Sequence, residues 1–392
     1  MTATRKRLAI VTSHPIQYNA PWFKLLAGSG EIHPGVFYTW EQSAAGPKYD
    51  PDFKGRIEWD IPLLEGYEYR FVRNKASDPG THHFRGLVNP TLNREITEWR
   101  PDAILVYGWS FDSHLKCLRH FHRRVPLLFR GDSTLLDERP GIRKHLRRWF
   151  LRWVYGHIDR ALYVGVRNKE YFLMHGLREG QLVYAPHAID NARFEEPDGH
   201  YRQQAAEGRM RLGIGENDVV LLFAGKLEPK KNPFFLLEMA QRIPDPRLKI
   251  IFAGTGVLES RLRKMAGDDP RVRFIGFQNQ QQMPVVYRMG DIYILPSQGP
   301  GETWGLGVNE AMASGCAIMM SEKAGGAIDL VEEEMNGIRF DPVNGVGKCS
   351  YWIRRLLDEP LLLADMKKES RRRIGFFSYQ QMMDALLSPG LF

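Results

Sequence analysis

Short apolar runs recur along the chain with longer amphipathic stretches between them: RLAIVTS, HPGVFYTW, DAILVYG, VPLLFRG and RALYVG in the first half, then DVVLLFAG, LKIIFAG, RVRFIGF, DIYILPS and CAIMMSE in the second. Each run is too brief for a buried helix and too uniformly apolar for a strand with one wet face, so each reads as a strand covered on both sides. The stretches between them then serve as crossover helices, giving a βα succession around parallel sheets. With 392 residues, the chain exceeds what one core ordinarily serves. NARFEEPDGHYRQQAAEGRM (191–210) breaks the succession: it is charged, holds Pro197 and Gly199, and contains no apolar strand. The expected architecture is α/β, with two Rossmann-like doubly wound domains facing a central cleft. The first spans 1–200, the second 201–376, and a closing segment 377–392.

Lysines and arginines number 54 against 46 aspartates and glutamates, a formal charge of +8 that favours an anionic partner. Nucleic acid, a phosphorylated small molecule and an acidic lipid surface all satisfy it. The densest basic runs are RKHLRRWFLRWVYGHIDR (143–160) and MKKESRRR (366–373). Cys117, Cys316 and Cys349 are widely spaced and form no C-x-x-C pair, which suits a reducing compartment and argues against structural zinc. The early LAIV is far shorter than a signal core, and no stretch approaches the roughly 20 apolar residues of a membrane span. A cytoplasmic protein, or one attached at the inner face of a membrane, is expected.

Ligands of open parallel sheets collect at the carboxyl ends of the strands. After DIYILPS comes GPGETWGLGVNEAMASG (299–315), in which VNEAMA is a good helix-forming run. A helix that starts among Trp304, Gly305, Leu306 and Gly307 offers backbone N–H groups left unshielded by two glycines, at the positive end of its macrodipole, and so a seat for phosphate. Glu302 and Glu310 bracket that seat. Helical geometry throughout would set them about 12 Å apart in rise. Carboxylates that share one bond lie about 5–9.5 Å apart, so this pair suits the two ends of a long ligand. A surface loop running into an ordinary helix, with Glu310 in water, accounts for the same letters without a ligand. FAGKLEPKKNP puts Lys226, Lys230 and Lys231 at the carboxyl end of another strand, where two lysines can neutralise a leaving diphosphate. A solvated basic turn is the plainer account. FAGTG (252–256), with Gly254, adds a glycine loop on the same face.

Together, GKLEPKKNP, FIGFQNQQQMPVVYRMGDIYILPS, GETWGLGVNEAMASGCAIMMSEKAGGAIDLVEEEMNGIRFDP and, upstream, PHAIDNARF resemble the retaining nucleotide-sugar glycosyltransferases of family 4, whose fold is GT-B. The resemblance covers 180–345 in order. It implies that Glu302 contacts donor-sugar hydroxyls near the reacting carbon and that Glu310 holds the ribose. Lys226 and Lys231 would bind the diphosphate, Lys226 standing where the family often has Arg and so acting as a point charge rather than a fork. Backbone from Trp304 through Gly305 and Leu306 to Gly307 would meet phosphates and sugar, and Phe277 and Gln278 of GFQ would lie where the main chain reads the base. The implied reaction moves a sugar from a nucleoside-diphosphate sugar, with retained configuration and no tightly bound metal or cofactor. Its acceptor would be a glycan or lipid-linked molecule in bacterial cell-surface polysaccharide or glycolipid assembly. The first domain would bind the acceptor, the second the donor, and FFSYQQMMDALLSPGLF would cross back onto the first domain.

The first half departs from the family pattern. SHPIQYNAPWF (13–23) replaces a glycine-rich loop and offers side chains instead: His14 for the donor phosphates, or as filling for a polar niche, and Asn19 for the acceptor. LLFRGDSTLL (127–136) stands where the family often has a histidine near its fourth strand. It offers Arg130 toward the acceptor, and Asp132 to take an acceptor hydroxyl's hydrogen bond or to cap the following segment. The D-P-D triplet at 50–52 is weak evidence for a divalent cation. Arg143, Lys144, Arg147, Arg148 and Arg152 mix with Leu146, Trp149, Phe150, Trp153 and Val154 at helical spacing. Two readings stand: peripheral membrane contact through 143–154, or a helix whose apolar side packs on the sheet while its arginines meet water. Competing functions are a nucleotide-sugar epimerase or phosphorylase of the same fold, a scaffold without activity, and a non-catalytic basic nucleic-acid-binding protein, although no nucleic-acid-binding module is evident.

Overall fold

The computed structural model describes residues 5–41, 48–50, 55–57, 60–195, 198–388 and 390–391. The chain divides into two compact units, the first comprising Met1–Lys48, Ile61–Pro186 and Tyr379–Phe392, the second Tyr49–Asp60 and His187–Ser378. The division therefore falls at Pro186/His187. The charged stretch 191–210 opens the second unit, as the helices Asn191–Phe194 and His200–Arg211. The side chains of the 50–52 triplet, and Pro197, lie outside the described residues.

In chain order, β1 (Lys6–Thr12) and β2 (Ile32–Tyr38) precede a small ribbon of β3 (Lys48–Asp50) and β4 (Gly55–Ile57). Then come β5 (Glu68–Phe71), β6 (Ala103–Tyr107), β7 (Leu127–Arg130), β8 (Arg160–Tyr163) and β9 (Leu182–Tyr184). Seven of these form one parallel sheet in the order β5-β2-β1-β6-β7-β8-β9. The second unit contributes β10 (Val219–Ala224), β11 (Leu248–Ala253), β12 (Val272–Gly276), β13 (Ile292–Leu295), β14 (Ala317–Ser321) and β15 (Gly337–Phe340). They form a parallel six-stranded sheet ordered β12-β11-β10-β13-β14-β15.

The continuous apolar runs are explained by burial on both faces. Leu8, Ala9, Ile10 and Val11 are all inaccessible, as are Val220, Leu221 and Leu222 in β10, so alternate side chains feed two helical layers. Register sets Val11 opposite Phe37 and Val106, and Leu222 opposite Ile251 and Tyr293. Strand order reverses between β1 and β6 in one sheet and between β10 and β13 in the other, and a crevice opens at the carboxyl ends of such strand pairs. The last helix, Tyr379–Leu387, belongs to the first unit, where the Tyr379 hydroxyl donates to the Tyr18 carbonyl at 2.9 Å. All three cysteines are reduced and buried. No described helix is long and apolar enough to cross a membrane.

Candidate functional site

The loops after β10 and β13 leave adjacent strand ends at the second sheet's switch point, and they are bonded to one another. The first contains the tight turn Pro229–Lys231, closed by Asn232 in a left-handed conformation (φ 51°). Gln298 from the second loop donates its backbone N–H to the Lys230 carbonyl and its side-chain amide to the Pro229 carbonyl, both at 2.9 Å. Across this junction Lys231 forms an ion pair with Glu302 on Oε2, and the Ser297 hydroxyl donates to the same oxygen at 2.8 Å. The carbonyl of Glu302 also receives the Gly325 N–H at 2.9 Å, which fixes its backbone against the loop after β14. These side chains are mostly shielded, Lys231 being 21% exposed and Glu302 10%. Their attraction is therefore less screened than that of a surface pair. Lys226 follows β10 directly and is half-buried, while Lys230 lies 3.5 Å from Glu228.

The helix Leu306–Ser314 begins beside this pair. Gly305, at φ 104°, is its N-cap and makes no side-chain cap bond. The glycines here answer to crowding as well as to conformation. A Cβ on Gly307 would sit 2.7 Å from the Tyr293 hydroxyl and 3.2 Å from that of Tyr287, so the helix start rests on two tyrosine heads. Trp304 is buried, and its indole N–H donates to Asn309 Oδ1 at 2.9 Å. The amides of Leu306 and Gly307 lead the helix, the position at which backbone N–H groups suit an anion.

Glu310 is not a solvated helix residue. It is 3% exposed, and its Oε2 accepts the Tyr287 hydroxyl at 2.8 Å. Tyr287 and Tyr293 meet edge to face, ring centroids 5.5 Å apart, and the Tyr293 hydroxyl reaches the Ala224 carbonyl at 3.3 Å. Burial pushes the Tyr293 hydroxyl's pKa up, and the negative charges of Glu302 and Glu310 push it further. Both carboxylates thus act on one phenol, in one neighbourhood. Tyr287, Tyr293, Ser297 and Asn309 were not singled out from the sequence; each is a polar head on an otherwise core-like segment.

Gly225, Gly254 and Gly276 end or follow three adjacent strands, all at positive φ (153°, 132° and 69°). The Gly225 N–H donates to Ala253 at 2.9 Å and the Gly254 N–H to Gly276 at 2.7 Å. A Cβ at Gly254 would fall 2.0 Å from the Gly225 carbonyl oxygen, so nothing larger fits. Beyond this row Phe277 is 37% exposed, and the Gln278 side chain donates to the Ile275 carbonyl at 2.7 Å.

In the first unit, His14 is half-buried, hydrogen-bonded to the Ser13 hydroxyl at 3.0 Å and edge-on to Trp40. Asn19 stands before the helix Ala20–Gly28 without a side-chain cap bond. Arg130 is buried, and its guanidinium is committed to the Ala185 and Pro186 carbonyls at 2.8 and 3.0 Å, a brace between β7 and the chain after β9 rather than a group turned to an acceptor. Asp132 is half-buried in a segment that no helix follows immediately. β7 is the fifth strand of its sheet in chain order, because β5 counts as a strand. The fourth is β6, and the histidine that follows it is His114 in helix Asp112–Phe121. That ring is inaccessible, with Nδ1 facing the Tyr107 carbonyl at 2.9 Å and Nε2 facing the Thr39 hydroxyl at 3.1 Å. Burial pushes its pKa down to about 4, partly opposed by the backbone carbonyls, and it is neutral at pH 7.

A cavity of about 1140 Å³ lies elsewhere in the second unit, lined by Arg202, Arg209, Arg288, Lys367 and Arg371 among others. It touches Gly290 and Gly315, which precede β13 and β14, and so occupies the amino ends of the strands. Much of its charge is spent internally: Asp291 binds Arg209 at 3.0 Å and Lys367 at 2.7 Å, and Arg288 donates to the Phe194 and Pro284 carbonyls.

Among solved structures, Alr3699/HepE from Anabaena, crystallised with UDP, superposes with a TM-score of 0.71 at 18% identity, covering 98% of this chain and 100% of that one. This is the GT-B fold. Within it, residues 205–373 match the family described as Glycosyl transferases group 1. The D-inositol 3-phosphate glycosyltransferase of Salinispora arenicola is 29% identical over 218 residues, 51% of this chain and 47% of that protein. The sulfoquinovosyl transferase SQD2 of Arabidopsis thaliana is 31% identical over 304 residues, 74% of this chain and 54% of its own length. The GT-B chain thus spans about half the length of the curated relatives it matches. The group 1 match contains the whole Lys226–Glu310 neighbourhood, and the first sheet lies outside it.

Proposed function

We propose that the protein is a retaining family 4 glycosyltransferase that transfers a sugar from a nucleoside-diphosphate sugar to a glycan or lipid-linked acceptor. The observation that carries this reading is the Lys231–Glu302 pair, set beside an uncapped helix start at the switch point of a group 1 glycosyl transferase unit. Lys226, Lys231 and the Leu306 and Gly307 amides supply positive charge where a diphosphate would gather negative charge as it leaves. Lys231 and Ser297 both bond Glu302 through Oε2, so Oε1 is the atom assigned to a sugar hydroxyl. Glu310, a turn further into the helix, takes the ribose, with Gly254, Phe277 and Gln278 near the base.

Displacement on the front face keeps the configuration: the acceptor oxygen bonds to the anomeric carbon as the bond to the phosphate oxygen breaks, and that oxygen takes the acceptor's proton. The protein's own cations serve the leaving group, so no tightly held metal is part of the proposal, and undiminished turnover in EDTA is expected. His14 is assigned to the donor phosphates, and Asn19 and Asp132 to the acceptor. Work at the inner face of a bacterial membrane, in surface polysaccharide or glycolipid assembly, is the setting that fits a lipid-linked acceptor. A thermal-shift panel of UDP-, GDP- and ADP-sugars tests the donor side. A ligand at a hundred times its Kd adds about 2.7 kcal/mol, a shift of roughly 5–10 °C for a domain of this size. No shift with any of the three would overturn the reading, and an inverted anomeric coupling in the product's NMR spectrum would overturn retention.

A further inference from the structure

Helix Ile142–Tyr155 carries two apolar faces, and only one of them is used by the core. Leu151, Val154 and Tyr155 are buried in the first unit. Ile142, Leu146, Trp149 and Trp153 are 77%, 63%, 74% and 41% exposed. At 100° per residue these four fall within about 60° of arc, and they run about 16 Å along the axis. The helix thus packs one apolar side on the core and wets Arg143, Arg147 and Arg152, and it also turns a second apolar stripe outward.

Cations border the exposed stripe. Arg143 lies on one flank and Arg152 on the other, both exposed, and Arg119 stands over the Trp153 ring at 5.6 Å. Lys144 and Arg148, on the inward side, are held by Glu138, each at 2.7 Å. We infer that this face docks on an anionic lipid bilayer, Trp149 and Trp153 seating at the interface while the flanking arginines meet the headgroups. Charge complementarity selects that occupant. The stripe is a ridge on a single helix, with no acid among its outward residues, which suits a yielding surface of negative charge. Tryptophan with its polar N–H favours that boundary. The inference deepens the acceptor side of the proposed function, because a lipid-linked acceptor would be met at such a surface.

Sedimentation with sonicated vesicles tests it, comparing phosphatidylcholine alone with phosphatidylcholine containing phosphatidylglycerol. The full chain should pellet with the anionic vesicles only, with blue-shifted tryptophan emission, and release as salt rises. Neutralising Arg143 or Arg152 to Gln should weaken partitioning about fivefold each, and the Trp149→Ala/Trp153→Ala protein should lose the emission shift at unchanged melting temperature. Equal binding to neutral vesicles, no binding to either, or dimerisation through this helix in sedimentation velocity would each overturn the inference. Vesicle binding needs no catalysis, so a protein that binds vesicles yet transfers no sugar would count against the proposed function alone.

Discussion

Removing the Lys231 charge should separate the two duties of the Lys231–Glu302 pair. In the resting protein the lysine neutralises a carboxylate that is 10% exposed. Lys231→Met leaves Glu302 with the Ser297 hydroxyl as side-chain donor, and should cost about 2–3 kcal/mol of stability, near the lower end for a broken buried pair. A lysine has three donors, so it can hold the glutamate and a phosphate oxygen together. One charge-assisted hydrogen bond contributes about 1.5–3 kcal/mol, so Lys231→Met should weaken nucleoside-diphosphate binding about 10- to 150-fold. Glu302→Gln should behave otherwise. It keeps the side chain's shape, removes a negative charge next to the diphosphate, and should bind the nucleoside diphosphate at least as tightly while transfer falls about 100-fold or more. Isothermal titration with UDP, GDP and ADP, urea midpoints and initial rates on both variants measure all three quantities. A Lys231→Met protein that folds and binds its nucleoside diphosphate with an unaltered Kd would refute the reasoning.

Tyr287→Phe withdraws a hydroxyl from the buried Glu310 carboxylate. It should raise the donor KM with little change in kcat, as loss of a contact made equally in ground and transition states does, and should weaken nucleoside diphosphate but not inorganic pyrophosphate in titrations. Gly225→Ala and Gly254→Ala both place a side chain at positive φ, yet only at 254 does the new carbon meet a backbone oxygen at 2.0 Å. Urea denaturation should show the second costing about 1–3 kcal/mol more than the first. His114 has its folded pKa lowered to about 4, below its unfolded value, so between roughly pH 6.5 and 4 the unfolded chain binds more protons and stability falls with pH. Relative to His114→Gln, the wild type should lose about 3 kcal/mol across that window, which melting curves at stepped pH would detect.

The fold was legible where strands are buried on both faces, since nothing but a covered parallel strand explains runs such as VVLLFA and LKIIFA. It was illegible at three of the four sheet edges, the fourth being β12, whose run RVRFIGF was read. EYRF, LVY and GIRF form β5, β9 and β15, each the last strand on its side and paired along one edge only, so a short or half-polar sequence suffices there. Missing EYRF shifted the strand count by one, so that β7 was counted as the fourth strand where β6 is. The placing of Lys231 and Glu302 at strand carboxyl ends on one face followed from the βα succession, whereas the adjacency of β10 and β13 is seen only in the strand order. The burial of Glu310 did not, because its partner Tyr287 lies in another helix and nothing near Glu310 in the sequence points to it. The direction of helix 142–155 was equally hidden: periodicity reveals that apolar residues share a face, whereas the neighbouring elements decide whether that face is covered.

The placement of the closing helix bears on biosynthesis. Because Tyr379–Leu387 belongs with segments that precede Pro186, the first unit cannot be finished until the ribosome has released the chain past Leu387. The unit between His187 and Ser378 is fully translated sooner. Folding on the ribosome would then run against the order of the genetic message, and a nonsense codon just ahead of Tyr379 would injure the half of the molecule translated first.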